Sequence, residues 1–202
     1  ETSMVTIGVS IGIALFPSHG KDTQTLIQNA DLAMYESKSS GKNCFTVYRK
    51  SLVSKATMQL KIEQGLKNAL HDNLFELFYQ PLVDLDGKTK GVEALLRWND
   101  SELGEISPTT FIPVAEEKGM IVPLGNWVLE RACQDMAQIE ARYGRGLYVS
   151  INVSPVQLRE KKFVSTVVKI INRSGIPPHL VNLEITEFSL MRNPEETIEK
   201  LL

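Results

Sequence analysis

Leu147 to Val153 reads Leu-Tyr-Val-Ser-Ile-Asn-Val, and Ser154-Pro155 follows at once. The run is apolar and β-branched enough for a strand inside a sheet. Ser154 then suits a helix N-cap, and Pro155 suits the first helical position, where its missing N–H costs nothing. The helix so opened is expected to reach about Arg173. Ser174-Gly175-Ile176-Pro177-Pro178 reads as a loop, Leu180 to Thr186 as a strand, and Pro194 onward as a helix. The order strand, helix, strand, helix argues for a parallel sheet or barrel with helices outside it. A closed barrel of eight strands typically takes about 250 residues, so only part of one is expected here.

Toward the N-terminus the same device recurs. Ser107-Pro108 opens a helix carrying Phe111, Ile112, Val114 and Ala115, and Pro123 to Tyr143 forms a longer helix stopped near Gly144. Phe75 to Val83 and Gly91 to Trp98 read as strands joined by a hairpin turn at Asp84-Leu85-Asp86-Gly87. Before Leu74 the rhythm differs. Met4 to Phe16 alternates large residues (Val5, Ile7, Val9, Ile11, Ile13) with small ones (Thr6, Gly8, Ser10, Gly12, Ala14), which predicts a strand with one face made for close packing. Thr23 to Ser39 reads as a helix stopped at Gly41, Phe45 to Tyr48 as a short strand, and Arg49 to Leu70 as a helix that could link two domains.

The 202 residues are 43% hydrophobic and 23% charged, ordinary for a globular chain, so a real core is expected. The formal net charge of -2 argues against coating a nucleic-acid polymer. Two cysteines, Cys44 and Cys133, are too few for a disulfide framework and favour a reducing compartment. No apolar run approaches the roughly 18 residues of a membrane span. We therefore expect a cytoplasmic location, with any membrane tether of a parent protein lying upstream. The chain opens without an initiator Met, and Glu196 to Leu202 reads as the middle of an amphipathic helix, so a segment of a longer protein is expected.

Strand interiors of α/β proteins are normally apolar on both faces. Three strands here depart from that. Glu93 and Arg97 share a strand face with Leu95, the next strand carries Asn152, and Glu184 and Glu187 sit on the last. Adjacent barrel strands let Glu93, Asn152 and Glu184 converge. Two carboxylates and an amide oxygen make a hard-oxygen site for Mg²⁺ or Mn²⁺ rather than Zn²⁺. Arg97 could clamp a phosphate with its planar fork. Together these point to metal-assisted attack of water on a phosphate ester. Taken singly, Glu93 and Arg97 also suit a buried ion pair, and Asn152 and Glu184 suit loop caps.

Six spaced motifs then occur in order. They are Tyr79-Gln80-Pro81; Glu93-Ala94-Leu95 with Leu96-Arg97-Trp98; Ile106-Ser107-Pro108; Phe111-Ile112-Pro113 with Ala115-Glu116-Glu117-Lys118-Gly119; Asn152-Val153-Ser154-Pro155 with Gln157-Leu158; and Leu183-Glu184-Ile185-Thr186-Glu187. From about Leu60 to Leu202 the chain resembles the first half of an EAL domain, the cyclic di-GMP phosphodiesterase family. The first 50 residues resemble the tail of a GGDEF domain, the diguanylate cyclase family. They do so through Val5 to Gly12, Ala30-Asp31-Leu32-Ala33-Met34-Tyr35 and Lys38-Ser39-Ser40-Gly41-Lys42-Asn43.

The resemblance implies an α/β fold: a partial TIM-like (β/α)8 barrel preceded by the C-terminal piece of an α+β nucleotide-cyclase-like domain. It implies domains at 1–50 and 61–202 with a helical linker at 51–60. It also implies opening of cyclic di-GMP to linear pGpG with Mg²⁺ or Mn²⁺. Carried over, Glu93, Asn152 and Glu184 match metal ligands, and Gln80, Leu95 and Arg97 match dinucleotide contacts. Glu187 matches the glutamate that steadies a catalytic loop. Lys38 and Lys42 match contacts to GTP phosphates, though both also suit solvated lysines at a helix end. A homodimer through the EAL domain is a further expectation. The family's Asp-Asp pair, its lysine and its later glutamate and glutamine would follow Leu202. This stretch by itself is therefore expected to be inactive. The competing reading is a module that binds cyclic di-GMP or a partner protein without turnover.

Overall fold

The computed structural model describes residues 7–72 and 74–185. The chain divides into two compact units, Glu1–Lys61 and Ile62–Leu202.

In the first unit two short strands, β1 (Ile11–Ile13) and β2 (Phe45–Val47), pair in parallel, with Ile11 opposite Phe45 and Ile13 opposite Val47. Between them runs helix α1 (Thr23–Ser39). Asp22 caps its start by accepting from the Thr25 backbone N–H at 2.8 Å and the Thr25 hydroxyl at 2.7 Å. The small face read from the sequence does its work at Gly12. A Cβ there would lie 1.9 Å from the Ala30 carbonyl oxygen and 2.2 Å from the Met34 nitrogen, so α1 rests on bare backbone. The buried Ser37 hydroxyl fastens the contact, donating to the Ile11 carbonyl at 2.8 Å and lying 2.8 Å from the Thr46 hydroxyl. Of the strand expected over Met4–Phe16, Met4–Thr6 lie outside the described residues, and within the rest only Ile11–Ile13 form a strand. Residues 7–10 are not extended in a ladder, and Ile7 and Val9 are exposed. Alternation alone does not make a strand; β2 offers only three residues to pair with.

Helix α2 (Ser51–Asp72) carries the chain into the second unit, whose core begins with Ile62, Leu66 and Ala69. There β3 (Phe75–Val83) and β4 (Thr89–Asp100) form an antiparallel hairpin, with Gln80 opposite Glu93 and Phe78 opposite Leu95. Gly87 turns it with φ of 77°. A short β5 (Gly104–Ile106), absent from the sequence reading, folds back on the end of β4. Helices α3 (Pro108–Glu117) and α4 (Ile121–Tyr143) follow, and Gly144 ends α4 in the left-handed conformation at φ 56°. Next come β6 (Tyr148–Asn152), α5 (Pro155–Leu158), α6 (Phe163–Ser174), a single 3-10 turn at Pro178–Leu180, and β7 (Val181–Glu184). β6 lies parallel to both β4 and β7, so the spatial order is β3-β4-β6-β7.

The single helix expected over Pro155–Arg173 is two. Leu158 and Phe163 explain the break, since both are buried. Five positions apart on one continuous helix they would point about 140° apart at 3.6 residues per turn. The interruption at Arg159–Lys162 lets both enter the core. The helix read from Pro194 and the site residue Glu187 lie outside the described residues.

Two apolar clusters fill the helix-facing side of the sheet. One joins Ala94, Val149 and Ile151 to Leu129, Cys133 and Met136 of α4 and Phe163, Val167 and Ile170 of α6. The other centres on Trp98, fully buried, whose ring meets Phe111 edge-on at 5.4 Å and Phe75 at 5.7 Å. Val92, Ala94, Leu96 and Trp98 of β4 all point to this side. Glu93, Leu95 and Arg97 are therefore left to the other face.

Candidate active site

The face of the sheet opposite the two apolar clusters gathers the polar residues. Register sets Gln80 beside Glu93, Glu93 beside Ser150, Ser150 beside Asn182, and Asn152 beside Glu184. In a pleated sheet, paired residues share a face. One surface therefore carries Gln80, Glu93, Leu95, Arg97, Asn152 and Glu184, drawn from four strands.

The central strand β6 ties the two flanking carboxylates. The Asn152 amide Nδ2 donates to Glu93 Oε1 at 2.8 Å. The Ser150 hydroxyl donates to Glu184 Oε1. The contacts are crossed: Asn152 lies in register with Glu184 but reaches Glu93, and Ser150 lies in register with Glu93 but reaches Glu184. Ser150 is 2% exposed, whereas Asn152 and Glu184 are open to solvent.

Arg97 does not pair with Glu93. Among the described residues no carboxylate lies within ion-pair distance of its guanidinium. One terminal nitrogen donates to the Leu96 carbonyl at 2.8 Å, and the group stands 5.4 Å from the centre of the Phe78 ring. The ion-pair alternative for Glu93 and Arg97 is thus not what forms. A cleft of about 450 Å³ opens between β4, the end of β6 and helices α3 and α4; Arg97, Asn152 and Glu116 line it together with apolar residues such as Leu124 and Val128, whereas Glu93, Glu184 and Gln80 do not. Ser154 both caps α5 and donates to Glu116 of α3 at 2.6 Å, which fixes this rim. Gln157 completes the reciprocal cap and lies where a Cβ on Gly125 would stand.

The donor set suits a hard divalent cation. Glu93 and Glu184 offer carboxylates, and Asn152 offers an amide oxygen once its Nδ2 is turned from Glu93, a rotation that exchanges near-isosteric ends. Among the described residues no three His, Cys, Asp or Glu side chains gather closely enough to hold a metal. Further coordination would come from water or ligand oxygens, as Mg²⁺ tolerates. Lys38 and Lys42 lie elsewhere, in the first unit, exposed at and just past the end of α1. Lys42 adopts φ of 62° beside Asn43 at 50°.

The sequence reading passed over Ser150. The signal was present: a small polar residue stands two positions before Asn152, on the same face, in a strand otherwise built of Tyr, Val and Ile.

A family profile described as "EAL domain" matches residues 63–202, and one described as "Diguanylate cyclase, GGDEF domain" matches residues 1–44. The chain belongs to the EAL family. Its EAL region follows a GGDEF fragment, the tandem order read from the motifs. Cyclic di-GMP phosphodiesterase NbdA of Pseudomonas aeruginosa is 36% identical over 193 residues, covering 95% of this chain and 25% of that protein. Cyclic di-GMP phosphodiesterase PdeR of Escherichia coli is 34% identical over 186 residues, covering 92% of this chain and 28% of that protein. The chain thus spans about a quarter of the length of these curated relatives. Among solved structures, the PaMucR phosphodiesterase in its c-di-GMP complex superposes with a TM-score of 0.67 at 33% identity. That match covers 70% of this chain and 57% of the other. The EAL portion is therefore a TIM-like α/β fold.

Proposed function

We propose that the protein containing this chain hydrolyses cyclic di-GMP to linear pGpG through its EAL domain. The observation that carries the reading is the crossed fastening of Glu93 and Glu184 to β6 beside a cleft that Arg97 lines. Glu93, Asn152 and Glu184 would hold Mg²⁺ or Mn²⁺. Bound there, the cation supplies Lewis-acid stabilisation of charge on the phosphate oxygens. Arg97 presents a guanidinium whose remaining N–H groups can take a phosphate, since only one nitrogen is engaged by the Leu96 carbonyl. Gln80 offers an amide beside Glu93, and Leu95 an apolar contact for a base. Glu187 is assigned by motif alone to steadying a loop.

The same reading takes 1–50 as the GGDEF piece, 51–60 as linker and 61–202 as EAL domain, with Lys38 and Lys42 toward GTP phosphates. It places the protein in the cytoplasm and allows pairing of EAL domains. No helix among the described residues is long and apolar enough to cross a membrane.

The test uses the full-length protein with cyclic di-GMP and Mg²⁺ or Mn²⁺, with and without chelator, and pGpG followed by chromatography. We expect chelator-sensitive product, and its loss in Glu93→Ala. Near-normal turnover in that variant sinks the metal assignment. Binding without product replaces the enzyme by a receptor built on the same frame.

A further inference from the structure

We propose that Ser150 is a positioning residue that holds the Glu184 carboxylate in the orientation a divalent cation needs. The inference rests on the reading of Glu184 as a ligand and deepens it. A central strand with Tyr148, Val149 and Ile151 around it favours another β-branched apolar residue at position 150. Serine there is a poor β-former, and its hydroxyl is taken out of water at 2% exposure. A buried hydroxyl is costly unless hydrogen-bonded. Its bond goes to Glu184 Oε1, across one strand spacing and two residues along from its own ladder partner, Asn182.

That donation fixes one carboxylate oxygen from within the sheet and leaves Oε2 as the other acceptor. Glu184 is solvent-exposed and ends β7, so its own packing does little to select a rotamer. Outer hydrogen bonds of this kind orient metal ligands, and their loss commonly weakens binding about 10- to 100-fold.

The experiment is a Mn²⁺ titration of the full-length protein without substrate, counting the site that Glu93→Gln removes. Threonine and valine share one shape and differ in the hydroxyl, so Ser150→Thr and Ser150→Val isolate the hydrogen bond from packing. We expect Ser150→Thr to bind Mn²⁺ within about 3-fold of the parent and Ser150→Val to bind about 10-fold or more weakly. Their thermal unfolding should match. Equal Mn²⁺ affinity in the two variants overturns the proposal. Glu184→Gln separates the two levels of the argument. If it loses Mn²⁺ while Ser150→Val does not, only the positioning role falls. If Glu184→Gln binds normally, the ligand reading falls and takes the positioning role with it.

Discussion

Cys133 shows how little a residue's identity says before its surroundings are known. From the sequence it has no partner at ligand spacing and reads as an ordinary packed residue. In the structure it is fully buried in α4 among Ala94, Val149 and Met136. Burial penalises the thiolate and pushes the thiol up to about 11 from 9.0. A group whose folded pKa is raised contributes stability that is complete below the unfolded pKa and is lost as pH rises through the folded one. Unfolding free energy should therefore fall by about 2 kcal/mol from this thiol alone between pH 9 and 11. Cys133→Ala should start lower, from the lost packing, and lack this part of the slope. Parallel pH profiles for the two proteins from denaturant titration would rule the effect out. The half-buried Tyr79 phenol is held above its usual range by the same cause, reinforced by its hydrogen bond to Asp135 at 2.8 Å.

Elements were legible where a local signal and a tertiary need agreed. Helix α1 carries both: an Asp22 cap and a stop past Ser39, and a small-residue strand face that receives it. Strand β1 had the pattern without the partner, and residues 7–10 stay outside the ladder. The α5–α6 break went unread because polar Arg159 to Lys162 are good helix formers; the interruption answers to where Leu158 and Phe163 must point, a demand no window of sequence contains. β5 went unread because three residues pair only once β4 exists to receive them. The α1–β1 contact gives the sharpest test. Gly12→Ala sets a methyl against backbone, not against a movable side chain, so α1 must shift bodily. A cost at or above the roughly 1–3 kcal/mol usual for overpacking is expected. Amide exchange of Ile11 and Tyr48, which donate to the Cys44 and Ile13 carbonyls at 3.0 and 2.8 Å, should speed up accordingly. Unchanged protection there would mean the helix does not rest on Gly12.

At the scale of the molecule, the sheet sorts chemistry by face. Helices cover the side of Ala94, Trp98 and Val149, and the opposite side carries Glu93, Arg97, Asn152 and Glu184. The sequence showed the membership of that second face, because carboxylates and an amide break the apolar habit of central strands. It could not show which partner each side chain takes, because the crossed hydrogen bonds depend on the stagger of three strands contributed by residues 59 and 34 positions apart. This arrangement predicts where a bound dinucleotide is felt. A ligand that binds only the folded state adds RT ln(1 + [L]/Kd), about 2.7 kcal/mol at 100 times Kd. For amides that exchange through unfolding of the site-bearing unit, this slows exchange about 100-fold. Cyclic di-GMP with Mn²⁺ should do so for β4 and β6 in the full-length protein, and the metal-dependent share should vanish in Glu93→Gln. Arg97→Lys keeps the charge but loses the planar fork, so it should weaken the nucleotide's effect while leaving Mn²⁺ binding alone. Should cyclic di-GMP leave β4 and β6 exchanging as before, the polar face is not its site, whatever the family of the fold that carries it.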